Sequence, residues 1–174
     1  AVLNTVDDQK DPVTPRDVQH FLQYQAFLVE AKYSGRMALG GKNLMPLPHQ
    51  IEAVYSRMLQ MPKTRFLLAD DPGAGKTIMA GMLIKELIAR HSIARVLILV
   101  PPLVLTQWQE EMHEKFSLEF TIINRESLRS TNKNPFIEND FCLASMFWAI
   151  RDDVKTLLHE ADFDLVVIDE AHKM

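Results

Sequence analysis

The chain has 174 residues, of which 47% are hydrophobic, and this is enough for one buried core of ordinary domain size. Its formal charge of -4 excludes a uniformly basic nucleic-acid binder, so any contact with phosphates is expected to be local. No apolar run reaches the roughly 20 residues that cross a bilayer. The single Cys142 cannot form an internal disulfide and is expected to be a small buried hydrophobe. These features predict a cytoplasmic protein without membrane contact, with the prokaryotic cytoplasm as the expected setting.

The first 45 residues predict a helical extension that carries no recognisable motif. Residues 14–17, Thr-Pro-Arg-Asp, are typical of a helix start, and this helix should run to about residue 33. Glycines at positions 35, 40 and 41 then interrupt the pattern. Two prolines lead into a second predicted helix over residues 50–60.

From residue 65 onward, short apolar runs alternate with helical stretches, which predicts an α/β domain with a parallel sheet and crossover helices. The predicted strands cover residues 66–68, 96–100, 119–123, 141–145 and 165–168. The predicted helices cover residues 77–90, 103–116 and 150–160, and a polar loop is expected around residues 130–135. Because the strands are almost continuously apolar, they should be buried on both faces.

The strongest chemical signal is a glycine-rich stretch between a predicted strand and a predicted helix. Its residues, in order, are Asp70, Asp71, Pro72, Gly73, Ala74, Gly75, Lys76 and Thr77. In such a loop, backbone N–H groups and the helix N-terminus point at phosphate oxygens, while the Lys reaches the terminal phosphates and the Thr hydroxyl holds Mg²⁺. The generic loop begins with Gly, whereas this one begins with Asp70. The stretch predicts a site for ATP and Mg²⁺.

A second signal is the acidic pair that directly follows the strand at residues 165–168. Asp169 lies where α/β sheets bind ligands, at the carboxyl end of a buried strand, and there it can hold Mg²⁺ through water. Glu170 would orient and deprotonate the attacking water. An Asp-Glu pair in this position can also be the solvated start of a loop. Together with the phosphate loop, the pair predicts ATP hydrolysis.

These motifs, in this order and spacing, resemble the first RecA-like domain of superfamily-two helicase-type motors, and in particular the Swi/Snf-type branch, which tolerates Asp at the first loop position. The resemblance covers residues 47–174 and implies a three-layer P-loop NTPase fold, with residues 46–174 as the ATP-binding domain. Gln50 resembles the upstream glutamine that reads the adenine edge. Its alternative interpretation is a surface residue in the first turn of a helix. The resemblance also suggests that His172 couples the nucleotide site to the rest of the motor.

Three further positions resemble nucleic-acid contacts of these motors. Pro101 and Pro102 lie in the loop after the second strand, which touches nucleic-acid backbone in the family, and Trp108 should pack the following helix onto the sheet as a core residue. Ser145 resembles a strand-end serine that contacts a phosphate, although a buried or capping Ser is as common at such a place.

The expected function is the ATP-binding half of a Swi/Snf-type translocase on duplex DNA. Two alternatives are the motor part of a restriction-modification helicase and a nucleotide-binding module without turnover of its own. The family also needs a second RecA-like domain that supplies arginines to the γ-phosphate, worth about 10³ to 10⁵ in rate in related enzymes, so this chain alone should be a poor ATPase.

The resemblance makes one topological prediction. In RecA-like domains another strand lies between the phosphate-loop strand and the strand that precedes the acidic motif, so residues 66–68 and 165–168 should not be direct neighbours. That strand would follow residue 174. The 174 residues are therefore expected to be a truncated domain of a longer polypeptide, or to receive the strand from another segment or chain.

Overall fold

A computed structural model describes residues 14–16, 18–22, 24, 46–61, 65–68, 75–130 and 132–173 of the chain. Within these ranges the strands are β1 (Val96–Val100), β2 (Thr121–Ile123), β3 (Phe141–Ser145) and β4 (Leu165–Ile168). The α-helices are α1 (Pro48–Ile51), α2 (Lys76–Ala89), α3 (Leu105–Phe116), α4 (Arg125–Ser130), α5 (Pro135–Glu138), α6 (Met146–Ala149) and α7 (Asp152–Ala161). Helix α1 continues as a π-helical stretch, Glu52–Arg57, and a 3-10 turn, Met58–Gln60. Further 3-10 turns are Pro102–Val104 and Ala171–Lys173.

The four strands form one parallel sheet in the order β2-β3-β1-β4. This confirms the predicted parallel α/β sheet. The predicted bounds of β1, β3 and β4 agree with the structure, while β2 begins two residues later than expected. Central strand β1 is buried along its whole length, as an apolar strand covered on both faces should be.

Helices cover both faces of the sheet and complete three layers. One apolar cluster packs the segment 48–60, α2 and α3 against one face, with Met82, Met112 and Phe116 among its fully buried members. The other cluster lies on the opposite face and joins Phe136 and Val154 to strands β1 and β3. The expected three-layer arrangement is confirmed, and the carboxyl ends of all four strands lie at one edge.

Two predictions about the sheet are wrong. Residues 65–68 are not a strand in the structure, and Phe66 and Leu67 are 42% and 81% exposed. On β4, Val166 and Ile168 are 48% and 41% exposed, so this strand is not buried on both faces. An apolar run alone determines neither of these properties. A strand needs a neighbouring strand as hydrogen-bond partner, and burial needs other elements that cover the strand.

The topological prediction about residues 66–68 and 165–168 stays a prediction, because it presupposes a strand at residues 66–68 that the structure does not contain. Strand β4 pairs with β1 in a parallel register, Leu97 opposite Val166, and no ladder joins β4 to the described residues 65–68. The origin of an intervening strand stays a prediction.

The polar loop predicted around residues 130–135 is flanked by two short helices that were not predicted. The side chain of Asn124 accepts hydrogen bonds from the backbone N–H of Glu126 and Ser127, which begins α4. Asn134 likewise accepts from Phe136 N at 3.0 Å, with Pro135 as the first residue of α5. Asn followed by a helix-compatible first turn is a start signal, so the sequence did contain this information.

The helices predicted in the first 60 residues are partly described. Residues 15, 16, 18–22 and 24 are helical, and Val18 N donates to Thr14 O at 3.2 Å, as expected for a helix that begins there. Residues 25–33, to which this helix was predicted to extend, lie outside the described residues. The second helix begins at Pro48, two residues earlier than predicted, and ends at Gln60 as predicted.

Cys142 is fully buried, as predicted, in the cluster on the second face of the sheet. Burial raises the pKa of its thiol to about 12, with a smaller lowering by Arg95 and a smaller raising by Asp140. A thiol of this kind is not a nucleophile at neutral pH, so Cys142 belongs to the core.

The loops that lead into β1 and β4 are joined by a carboxylate. Asp164 Oδ2 accepts from the backbone N–H groups of Ala94, at 2.7 Å, and Arg95, at 2.8 Å. These two hydrogen bonds hold the pKa of Asp164 below its usual value of 3.8. Because the folded-state pKa is lowered, the resulting stability is present above the unfolded-state pKa and is lost as the pH falls through the folded-state pKa.

We therefore expect Asp164→Asn to unfold at a lower urea concentration than the wild type at pH 7, because a neutral amide oxygen is a weaker acceptor than a carboxylate. The difference should shrink as the pH falls below about 4, because the unfolded chain then binds a proton at this carboxyl group that the folded protein takes up only at lower pH. Urea unfolding followed by circular dichroism at pH 7 and pH 3 measures both quantities. A difference of the same size at both pH values would contradict the assignment.

Candidate nucleotide and nucleic-acid site

The carboxyl-end edge of the sheet brings together predicted site residues from three strands. Pro101 follows β1, Ser145 ends β3, and Asp169 follows β4. Because these three strands are adjacent and parallel, their ends lie side by side. Ligands of open α/β sheets bind at this edge.

The end of the phosphate loop is packed against Gln50. Gly75 has a left-handed backbone, with φ of 80° and ψ of 38°, and a side chain at this position would collide with the amide nitrogen of Gln50. The positive φ therefore favours glycine here, and any larger residue would also displace the Gln50 amide. Residues 70–74, which include Asp70, Asp71, Pro72, Gly73 and Ala74, lie outside the described residues.

Gln50 is 5% exposed, so its interpretation as a surface residue is wrong. Its Oε1 accepts from Leu47 N at 2.9 Å, which secures the first turn of α1. The same side chain contacts the phosphate loop through Gly75. The glutamine thus connects the start of the domain to the loop, and its reading of adenine stays a prediction.

Lys76 and Thr77 are the first two residues of α2, a helix of 14 residues. Both are half-buried. The first N–H groups of a helix have no partner within the helix, and the helix dipole is positive at this end. An anion placed beyond Gly75 would meet these groups.

Asp169 is held by three hydrogen bonds. Its backbone N–H donates to Leu99 O at 2.9 Å, which extends the β1–β4 ladder by one residue. Its Oδ1 accepts from Glu170 N at 2.9 Å, and its Oδ2 accepts from the indole Nε1 of Trp108 at 3.2 Å. A carboxylate has about four acceptor positions, so Asp169 retains capacity for water bound to a cation.

Glu170 has a positive φ of 54°, which is uncommon for a residue with a side chain. Backbone strain of this kind is found at functional sites, where the surrounding structure enforces it. Its Oε2 lies 3.4 Å from His172 Nε2, and the His172 side chain is 72% exposed. The structure therefore brings Glu170 and His172 together, while the coupling role of His172 stays a prediction.

The predicted nucleic-acid residues lie at the carboxyl ends of β1 and β3. Pro102 begins the 3-10 turn that precedes α3 and is exposed. Ser145 is half-buried and precedes α6, without a hydrogen bond from its side chain to the helix N-terminus, so it does not act as the capping serine. A groove of about 350 Å³ opens beside it, with Asn124 and Arg125 in its wall. These two residues were not predicted, although their position directly after a strand of a parallel sheet was the available signal.

Trp108 was correctly predicted as a core residue, since its side chain is 4% exposed in the cluster on the first face. Its hydrogen bond to Asp169 could not be foreseen, because 61 positions separate the two residues.

Comparisons with known proteins show which family this chain belongs to. The family model described as "Type III restriction enzyme, res subunit" matches residues 43–174. The RNA polymerase-associated protein RapA of Stutzerimonas stutzeri (strain A1501) is 35% identical over 157 residues, which cover 89% of this chain and 16% of that protein. RapA of Pseudomonas aeruginosa (strain LESB58) is 33% identical over 157 residues, with the same coverage. The chain thus spans about a sixth of the length of these relatives.

The solved structure of the Sulfolobus solfataricus SWI2/SNF2 ATPase core in complex with dsDNA is similar to this fold, with a TM-score of 0.59 and 29% sequence identity. The similarity covers 76% of this chain and 27% of that chain. In the parts of this chain that the structure describes, no helix is long and apolar enough to cross a membrane.

Proposed function

Since the chain belongs to the family described as "Type III restriction enzyme, res subunit" and is a superfamily-two ATPase domain of the Swi/Snf type, we propose a function in DNA translocation. The proposed role is the ATP-binding half of a translocase that moves on duplex DNA. The proposal is carried by two local features of the same domain. One is the left-handed Gly75 that leads into α2. The other is the acidic pair after β4, with Asp169 fixed by hydrogen bonds at both carboxylate oxygens.

The candidate residues fit ATP and Mg²⁺ by their chemistry. A side chain in place of Gly75 would fill the space next to Gln50, and α2 offers the N–H groups of its first turn and Lys76 to phosphate oxygens. Thr77 and Asp169 supply the hard oxygen ligands that Mg²⁺ prefers, directly or through water. When bound, Mg²⁺ would neutralise charge on the phosphate oxygens. The assignment of these residues, with Asp70, Asp71, Pro72, Gly73 and Ala74 of the same loop, is part of the proposal.

Glu170 is proposed to orient and deprotonate the attacking water. The carboxylate of its neighbour Asp169 is engaged by Trp108 and by Glu170 N, whereas the carboxylate of Glu170 is half-buried beside the exposed ring of His172. The two acids therefore have different surroundings, which suits different roles.

Glu170→Gln tests this role, since the amide keeps the size of the side chain and removes the base. Affinity for ATP with Mg²⁺, measured by isothermal titration, should stay within about twofold, while hydrolysis in a single turnover with excess protein should fall by about 100-fold or more. Single-turnover conditions are needed because the chain alone is expected to be a slow ATPase. Equal hydrolysis by the variant and the wild type would overturn the assignment.

The proposed DNA contact is formed by Pro101 and Pro102 after β1 and by the groove that Ser145 and Arg125 line. The similar SWI2/SNF2 core is itself in complex with duplex DNA. Arg125 is exposed at the start of α4. The pKa of Asp153 is lowered mainly by Arg151 and to a smaller extent by the charge of Arg125. A guanidinium at this place can bind a backbone phosphate.

We expect Arg125→Glu to weaken binding of a short DNA duplex by about tenfold at roughly 50 mM salt. The slope of log affinity against log salt should become shallower by about 0.9, the contribution of one phosphate contact. Fluorescence anisotropy at several salt concentrations measures both. Arg57→Glu is the matched control, because Arg57 is also an exposed arginine and lies on the segment 48–60. Equal losses in the two variants, or crosslinks of DNA to residues 1–45, would contradict this placement.

Two parts of the proposal concern the whole protein. The relatives are about six times longer than the matched segment, which supports a second RecA-like domain in the same polypeptide as the source of the γ-phosphate arginines. A cytoplasmic location stays a prediction from the sequence. The translocase is favoured over a restriction-modification motor because the relatives are RapA proteins and the similar structure is a SWI2/SNF2 core.

A further inference from the structure

The indole of Trp108 contacts the acid that is proposed to hold Mg²⁺. Trp108 lies in the first turn of α3, which packs on the first face of the sheet, and its side chain is 4% exposed. Its Nε1 is 3.2 Å from Asp169 Oδ2. This is a hydrogen bond between a neutral donor and a carboxylate in a partly buried setting, where such bonds are strong.

Packing alone does not account for this contact. A phenylalanine would fill most of the same apolar space, whereas the N–H group of tryptophan must find an acceptor when it is buried. The acceptor here is the Asp169 carboxylate, whose other oxygen is held by Glu170 N. With both oxygens engaged, the carboxylate plane has one orientation, and residues that fix metal ligands in this way affect metal affinity.

We propose that Trp108 is a positioning residue, whose indole N–H holds the Asp169 carboxylate in the orientation that binds Mg²⁺ together with ATP. The inference rests on the proposed function, because it requires Asp169 to be a magnesium ligand. It adds a residue from α3, the helix that directly follows the 3-10 turn Pro102–Val104, to the nucleotide site.

The measurement is the factor by which Mg²⁺ increases the affinity for ATP, obtained by isothermal titration of the full chain with ATP in Mg²⁺ and in EDTA. Trp108→Phe should reduce this factor about tenfold and leave the affinity in EDTA unchanged. Trp148→Phe is the matched control, since Trp148 packs on Phe136 in the cluster on the other face, and it should keep the wild-type factor. In an Asp169→Asn background, Trp108→Phe should cause no further reduction, as expected for two residues that act together.

The outcomes separate this inference from the proposed function. If the wild type binds ATP with Mg²⁺ and Trp108→Phe keeps the full factor, the positioning role is overturned and the proposed function stands. Equal loss of affinity in Mg²⁺ and in EDTA would mean that Trp108 has only a packing role. No ATP binding by the wild type would overturn both.

Fluorescence gives a second test that does not depend on the stability of Trp108→Phe. The chain has two tryptophans, so Trp148→Phe leaves Trp108 as the sole tryptophan fluorophore. Its emission should change with ATP and Mg²⁺ but not with ATP and EDTA, because the cation alters the charge next to the indole. Asp169→Asn should abolish the change. Unaltered emission while calorimetry shows bound ATP and Mg²⁺ would overturn the inference.

Discussion

Replacing Lys76 with Ala should lower the affinity for ATP by about 100-fold or more, to below detection in an isothermal titration. Lys76 is the first residue of α2 and directly follows the left-handed Gly75. Its ammonium is proposed to donate charge-assisted hydrogen bonds to the terminal phosphates, and losing one or two of these costs roughly 1.5 to 3 kcal/mol each. A loss of about 2.8 kcal/mol corresponds to 100-fold in affinity.

Lys155→Ala is the control for this measurement. Lys155 carries the same charge, lies on α7, and pairs with exposed Asp152 at 3.5 Å. This variant should bind ATP as the wild type does, because the change in net charge is equal but the position is remote from α2 in sequence and fold. Equal ATP affinity in the wild type and in Lys76→Ala would remove the basis of the phosphate-loop assignment.

The second large effect is expected at Arg95, which lies just before β1 at the edge of the sheet opposite the nucleotide site. Its guanidinium donates to three backbone carbonyls at 3.2 Å or less: Phe136 at 2.6 Å, Ala161 at 3.1 Å and Ile137 at 3.2 Å. It also pairs with Asp140 at 3.0 Å and lies over the ring of Phe163, 5.5 Å from the centroid.

We expect Arg95→Met to destabilise the fold by about 3 kcal/mol, because several carbonyl groups would lose their donor at once and each unsatisfied buried group costs roughly 1 to 3 kcal/mol. Arg95→Lys should not restore the stability, since an ammonium lacks the planar fork that reaches several acceptors. Urea unfolding followed by circular dichroism provides the free energies.

Arg57→Met is the control for Arg95. The Arg57 side chain is 67% exposed and pairs with Glu52 at 3.2 Å. Exposed ion pairs contribute about 0 to 1 kcal/mol, so this variant should remain close to the wild type. A similar small loss in Arg95→Met would show that the network around Arg95 is not important for stability.

The candidate site residues could be proposed from the sequence because their signals are local. Both motifs are contiguous in sequence, and each lies beside an apolar run or a helical stretch. The first ends in Gly75, Lys76 and Thr77, and the second is the acidic pair Asp169 and Glu170. Strands β1, β3 and β4 were predicted at their observed bounds for the same reason. A short apolar run between turn residues needs no distant partner to be recognised.

The partners of these residues could not be predicted, because they depend on sheet order and helix packing. The hydrogen bond from Trp108 to Asp169 requires β4 to lie next to β1, so that the start of α3 comes close to the end of β4. The burial of Gln50 requires the segment 48–60 to pack against α2.

The type of fold followed from the amino-acid order alone, and so did the proposals of a phosphate loop and an acidic pair, since periodicity and motif spacing are properties of neighbouring residues. Three-dimensional packing was needed to show that residues 66–68 stay outside the sheet, that β4 is half-exposed, and that Arg95 and Trp108 each serve distant groups. Hydrogen-bond partners and burial are set by which elements are adjacent in space. Adjacency arises from the packing of the whole chain and is not encoded in any one segment.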